Sequence, residues 1–209
     1  NSLFANDTSP NVFILPLSDP EIALESGQNG TSNTELASEY PDISNNGRYI
    51  AYLSILNNTY QVFWKDTWAT NTVPANVSSG NNDSSPPSIS PDGRFVVFSS
   101  FATNLEPADT NQFSDIFWYD TTSAETRRIS MAGLGVQANG GSFRPDVSNN
   151  GEYVVFESQA SNLVEDDVNN ATDVFLWSLA DGSITRISQN DASSPAGGNL
   201  NSFSPKISD

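Results

Sequence analysis

A four-residue element, Pro-x-Ile/Val-Ser, occurs four times in this chain, at Pro41–Ser44, Pro87–Ser90, Pro145–Ser148 and Pro205–Ser208, with spacings of 46, 58 and 60 residues. Repetition at such a period marks an array of similar supersecondary units. The first three copies lead into turns that end in glycine: Asn45-Asn46-Gly47, Pro91-Asp92-Gly93 and Asn149-Asn150-Gly151. Glycine permits positive φ there, and Asn or Pro-Asp ahead of it suits a tight hairpin. An apolar strand follows each turn, at Arg48–Tyr52, Arg94–Phe98 and Glu152–Phe156. Third strands are expected at Tyr60–Lys65, Asp115–Tyr119 and Asp173–Trp177, and fourth strands around Ala75–Ser78, Thr126–Ser130 and Thr185–Ser188. The N-terminal stretch fits the second half of the same grammar, Val12–Leu17 matching a third strand and Glu21–Ser26 a fourth.

The strand interiors choose among repeat architectures. Phe95-Val96-Val97-Phe98 and Tyr153-Val154-Val155-Phe156 are apolar at consecutive positions, so these strands are expected to be buried on both faces. A sheet covered on both sides by sheets like itself is a propeller blade. A β-helix would repeat at shorter intervals, and a sandwich would not repeat its sequence. The expected fold is therefore all-β, a β-propeller of four-stranded antiparallel blades. The blades divide as a partial unit over 1–39, units over 40–85, 86–142 and 143–202, and the start of another over 203–209. That count does not close a ring, so a larger propeller of about six to eight blades, continuing into further blades or flanking domains, is expected.

Ser90-Pro91-Asp92-Gly93-Arg94-Phe95-Val96-Val97-Phe98, taken with Asp115-Ile116-Phe117-Trp118-Tyr119-Asp120, resembles the TolB-like propeller repeat. The likeness extends over nearly the whole chain. That family is widespread in bacterial periplasmic and secreted proteins, and includes binding proteins, peptidase-associated propellers and surface proteins. The resemblance thus implies a propeller and a periplasmic or secreted location, while leaving the activity open.

Composition narrows the activity. The chain has no histidine and no cysteine, which removes Ser-His-Asp and Cys-His catalysis, imidazole and thiolate metal sites, and disulfides. A formal net charge of -17, from 8 Lys+Arg against 25 Asp+Glu, argues against a nucleic-acid surface and against docking on anionic membranes. No stretch is long and apolar enough to cross a bilayer as a helix.

Two loops between second and third strands carry the pattern Asp-x-Asn-x-x-x-Asp: Asp109, Asn111 and Asp115 in one, Asp167, Asn169 and Asp173 in the other. In each, an asparagine (Asn104 or Asn162) stands five residues ahead of the first Asp. Hard oxygen donors at alternate positions, closed by a later carboxylate, are what Ca²⁺ prefers, and these six residues are the candidate metal ligands. The alternative is a polar loop whose Asp and Asn side chains bond the backbone. The N-terminal stretch keeps Asp7 but has Asn11 for the second Asp, and the unit with Asn57-Asn58-Thr59-Tyr60-Gln61 lacks the pattern.

Aromatic residues recur in the third strands, as Phe63-Trp64, Phe117-Trp118-Tyr119 and Phe175-Leu176-Trp177, where inter-blade packing is expected ahead of sugar stacking. Trp68 stands outside the repeat and is a candidate exposed contact, and Arg127, Arg128 and Arg186 are expected to partner carboxylates. No nucleophile-and-base set emerges. The functional expectation is a non-catalytic extracellular or periplasmic scaffold for protein or carbohydrate, with calcium as the cofactor the loops would hold. The alternative is the accessory propeller of a larger secreted enzyme such as a serine peptidase.

Overall fold

The computed structural model describes residues 13–14, 23–24, 38–69, 75–107, 109–188 and 200–208. The described residues form antiparallel strands and one short 3-10 turn at Gly133–Gly135. Strands β1 (Phe13–Ile14) and β2 (Ala23–Leu24) pair with each other, within the two strands expected of the N-terminal unit. The remainder of that unit, Asp7 and Asn11 included, lies outside the described residues.

Three four-stranded meanders follow. The first contains β3 (Ser38–Ile43), β4 (Tyr49–Leu56), β5 (Thr59–Asp66) and β6 (Ala75–Asn76). The second contains β7 (Ser88–Ile89), β8 (Phe95–Ser100), β9 (Asp115–Asp120) and β10 (Glu125–Arg128). Next comes a small hairpin of β11 (Met131–Ala132) and β12 (Val136–Gln137), which has no counterpart in the repeat grammar. The third meander contains β13 (Ser142–Val147), β14 (Tyr153–Ser158), β15 (Asp173–Ser178) and β16 (Ile184–Arg186). The fold is a β-propeller, and each meander is one blade.

The consecutive apolar positions of β8 divide between two cores. Phe95 and Val97 pack with Val154, Phe156, Phe175 and Trp177 of the third blade. Val96 and Phe98 turn the other way, onto Ala51, Leu53 and Val62 of the first. All six β8 residues are buried, which a period-two strand achieves only between two sheets.

The hairpin between first and second strands is built three times from the same parts. Ser44, Ser90 and Ser148 each accept the N–H of the first strand residue, Tyr49, Phe95 or Tyr153, and donate to Asn46, Asp92 or Asn150. The turn glycines Gly47, Gly93 and Gly151 have φ of 70°, 81° and 71°. Two of these turns also form the joint between blades. A Cβ on Gly93 would fall 2.0 Å from the Tyr49 ring of the preceding blade, and one on Gly151 would fall 1.8 Å from the Phe95 ring. Those rings stack on Trp64 and Trp118, whose indole N–H groups donate to the Gly93 and Gly151 carbonyls. The third-strand aromatics are thus joint and core residues, as the repeat positions implied.

Turn and joint are separable by mutation. Gly47→Ala, with nothing within 4 Å of the added Cβ, is expected to cost only the left-handed backbone, about 1–2 kcal/mol. Gly93→Ala and Gly151→Ala add overpacking against a ring and should cost about 2–4 kcal/mol in all, measured by urea unfolding. Equal losses at all three glycines would mean that the joint is loosely packed.

Candidate functional site

The first strands of the blades and the Phe203–Lys206 segment surround the mouth of an open cavity of about 820 Å³. Its wall is made at equivalent repeat positions. The residue before each repeat proline is Tyr40, Pro86, Arg144 or Ser204. Tyr40, Arg144 and Ser204 have φ of 52°, 49° and 55°, a region that residues with a Cβ seldom occupy. The pairing register slips there, between Glu39 and Asp42 and between Phe143 and Asp146, so the pre-proline residue is pushed out of the ladder. Proline at the following position has no N–H to lose from it. Left-handed backbone therefore recurs at three of the four positions, with Pro86 as the exception, while the side chains differ.

Those side chains are available. Tyr40 is 59 % exposed and Phe203 57 %, and the Arg144 side chain is 64 % exposed. Arg144 is held by one nitrogen: its Nη1 donates to both carboxylate oxygens of the buried Glu157, at 3.2 and 3.1 Å. Glu157 also accepts the backbone N–H of Ser204, which ties the next unit to the same carboxylate. One layer deeper, Asp42 accepts the N–H of Ile89 at 2.8 Å, and Asp146 accepts from Ser88 Oγ, Lys206 Nζ and the N–H of Ile207. Sequence reading passed over this mouth. Its only trace there was the variable residue ahead of each repeat proline.

The six candidate metal ligands come together in two threes, each around an arginine. In the second blade, Arg128 is 2 % exposed at its side chain, with Nη1 2.9 Å from Asp109 Oδ1 and 3.3 Å from Asp115 Oδ2. The Asp109 contact lies off the N–H direction, so it is electrostatic attraction and not a hydrogen bond. Glu106 is 3.5 Å from Nε, which also donates to the thioether of Met131. In the third blade, Arg186 Nη1 lies 2.9 Å from Asp167 and 3.8 Å from Asp173, and Nη2 donates to the Asp166 carbonyl.

Asn111 and Asn169 turn their amide N–H groups toward Asp115 and Asp173, and their oxygens accept backbone N–H groups of Phe113 and Ala171. Ser130 and Ser188 donate to the other Asp oxygen at 2.5 Å. Asn104 and Asn162 lie outside these sets, bonding the linker backbone at Asn81, Ser79, Asn139 and Gln137. Calcium takes six to eight oxygens, and a set that presents a guanidinium and an amide N–H at its centre does not fit it as folded. Among the described residues, no group of three or more acidic side chains is placed to hold a metal ion.

Burial drives the electrostatics of these loops. It pushes the Asp115 carboxyl above its ordinary value, against the opposing effects of Ser130 and Arg128. Asp167 is raised by burial and then by the neighbouring charge of Asp173. Asp66 and Asp120 are shifted oppositely, held low chiefly by hydrogen bonds from Arg48 and Arg94 at the hairpin ends. Trp68 is exposed beside that pair, with the Arg48 guanidinium over its ring at 5.4 Å.

No protein-family model matches the chain, and no curated protein does. Solved structures do match. Putative TolB from Agrobacterium tumefaciens superposes with a TM-score of 0.55 at 21 % identity, over 87 % of this chain and 57 % of that one. TolB from Acinetobacter baumannii gives 0.52 at 15 % identity, over 88 % of this chain and 40 % of that one. The tricorn protease gives 0.54 at 12 % identity, over 90 % of this chain and 17 % of that one. The chain spans less than two thirds of each of these proteins, and likeness at such identities establishes the fold alone.

The opposed shifts predict a pH profile. A carboxyl raised in the native state binds its proton before the unfolded chain does, so Asp115 and Asp167 add stability as pH falls from their raised values toward about 4. Asp66 and Asp120 stabilise above that pH, and their contribution is lost as pH falls through their lowered values. Asp115→Asn is expected to remove part of the rise, and Asp120→Asn to flatten the acid limb. Urea unfolding from pH 7 to pH 2.5 measures both, and an unchanged profile in Asp115→Asn would refute the assignment.

Proposed function

From this TolB-like β-propeller fold, we propose that the chain is a non-catalytic binding scaffold that receives a segment of a protein partner at the cavity mouth. The observation that carries the reading is the set of left-handed pre-proline residues. Three non-glycine residues at one repeat position adopt a costly backbone conformation, and they line a cavity with exposed aromatic and guanidinium groups. Such strain persists where the surrounding structure enforces it, and it concentrates at binding sites. The mouth combines the apolar rings of Tyr40 and Phe203 with the half-anchored Arg144, the residue types that dominate protein recognition. The lack of histidine and cysteine supports a binding role over a catalytic one. A periplasmic or secreted site of action belongs to the same proposal, and rests on the TolB likeness.

The alternative, an accessory propeller of a larger secreted enzyme, is supported by the similarity to the tricorn protease fold. Both readings place recognition at the mouth, and they differ in whether a catalytic domain lies elsewhere in the protein.

Selection of a displayed random-peptide library on the immobilised chain tests the mouth directly. Peptides enriched on the unaltered chain are expected to lose at least about tenfold in affinity on Arg144→Glu or on the pair Tyr40→Ala/Phe203→Ala. Circular dichroism would confirm that these variants remain folded. Peptides that bind every variant equally would move recognition away from the mouth.

A further inference from the structure

We infer that a buried guanidinium takes the cation's place in both Asp-x-Asn-x-x-x-Asp loops, Arg128 in the second blade and Arg186 in the third, so that each loop is closed by an internal cation and not by calcium. Three independent observations carry this.

Position is the first. Both arginines stand opposite the third-strand phenylalanine, Arg128 facing Phe117 and Arg186 facing Phe175. Both guanidinium groups are buried and lie within 4 Å of the first and last Asp of their loops. The same strand register thus delivers a cation to the same point twice.

Orientation is the second. A metal-bound asparagine turns its oxygen to the ion. Asn111 and Asn169 do the reverse, aiming N–H at the carboxylate while their oxygens close turns with Phe113 and Ala171. Each loop's asparagine therefore acts as a donor to the terminal Asp, as Arg128 also does in the second blade.

The third is a comparison internal to the chain. The first blade has Gln61 where the others have Asp115 and Asp173, and Asn76 where they have Arg128 and Arg186. Its serine is unchanged: Ser78 binds Gln61 Oε1 and accepts the Val62 N–H, as Ser130 and Ser188 accept those of Ile116 and Val174. Gln61 also accepts the Gly80 N–H and donates to Thr59 and the Asn82 carbonyl, so the neutral version is fully bonded. Acid and arginine are present together or absent together. A calcium site would need the acid but not the arginine.

The test uses the intact chain. Thermal melting in 5 mM CaCl₂, 5 mM MgCl₂ and EDTA is expected to give midpoints within about 1 °C of one another, because a ligand that does not bind the native state adds nothing. Arg128→Asn alone should lower the midpoint by about 10 °C, the effect of stranding a buried carboxylate in a chain of this length. The triple variant Asp109→Asn/Asp115→Gln/Arg128→Asn copies the neutral chemistry of the first blade and should recover at least half of that loss. A calcium-specific rise of several degrees in the unaltered chain would overturn the inference, as would an Arg128→Asn variant that melts with the unaltered chain. Should Arg128→Asn prove insoluble, the calcium series decides the matter without it.

Discussion

Everything in this molecule depends on strands that are apolar on both sides. A sheet whose second strand reads Phe95-Val96-Val97-Phe98 has no face to offer water, and each of its faces has to meet another sheet. Blade-on-blade stacking satisfies that demand by giving alternate residues of one strand to alternate neighbours. The rest follows. With both faces occupied, polar groups are confined to the strand ends, and it is there that the buried serines and carboxylates are found. Every one of those groups has to be matched locally, since water does not reach them.

The two ends of the blades solve the problem differently. At the hairpin end, Ser and Asx side chains close the turn, and a surface arginine caps the third strand's last carboxylate in the first two blades. The third blade has Glu152 in place of that arginine and Ser178 in place of that carboxylate, again a paired loss. At the loop end, the matching is done by buried arginines. At both ends, then, an arginine and its Asp partner are exchanged together from blade to blade.

The strand order, the turn glycines and the double-sided burial were legible because they are local or periodic. Gly93 and Gly151 could be placed in turns from their neighbours alone, though not against the Tyr49 and Phe95 rings, which belong to other blades. The acidic loops were found but their cation was not. Arg128 lies thirteen residues from Asp115, and only the β9–β10 register brings it back to the carboxylate. The clue available in the sequence was the joint exchange of Asp for Gln and Arg for Asn in the first blade. The left-handed backbone of Tyr40 and Arg144 had no local signature, because neither residue type favours it; the bulge beside the proline imposes it. The β11–β12 hairpin was missed because its strands of two residues each carry no period.

The joint between blades is not symmetric. A blade offers its stacked ring and indole to the following unit and presents its glycine turn to the preceding one. The contact is therefore heterologous, joining unlike surfaces, and every unit added to such a stack leaves the same pair of unlike surfaces at its two ends. Such a stack has an intrinsic direction, like a row of cups, and admits no face-to-face doubling about a twofold axis through this contact. Whether it turns back on itself or winds onward is decided by the angle set at one glycine and one indole, repeated at each step.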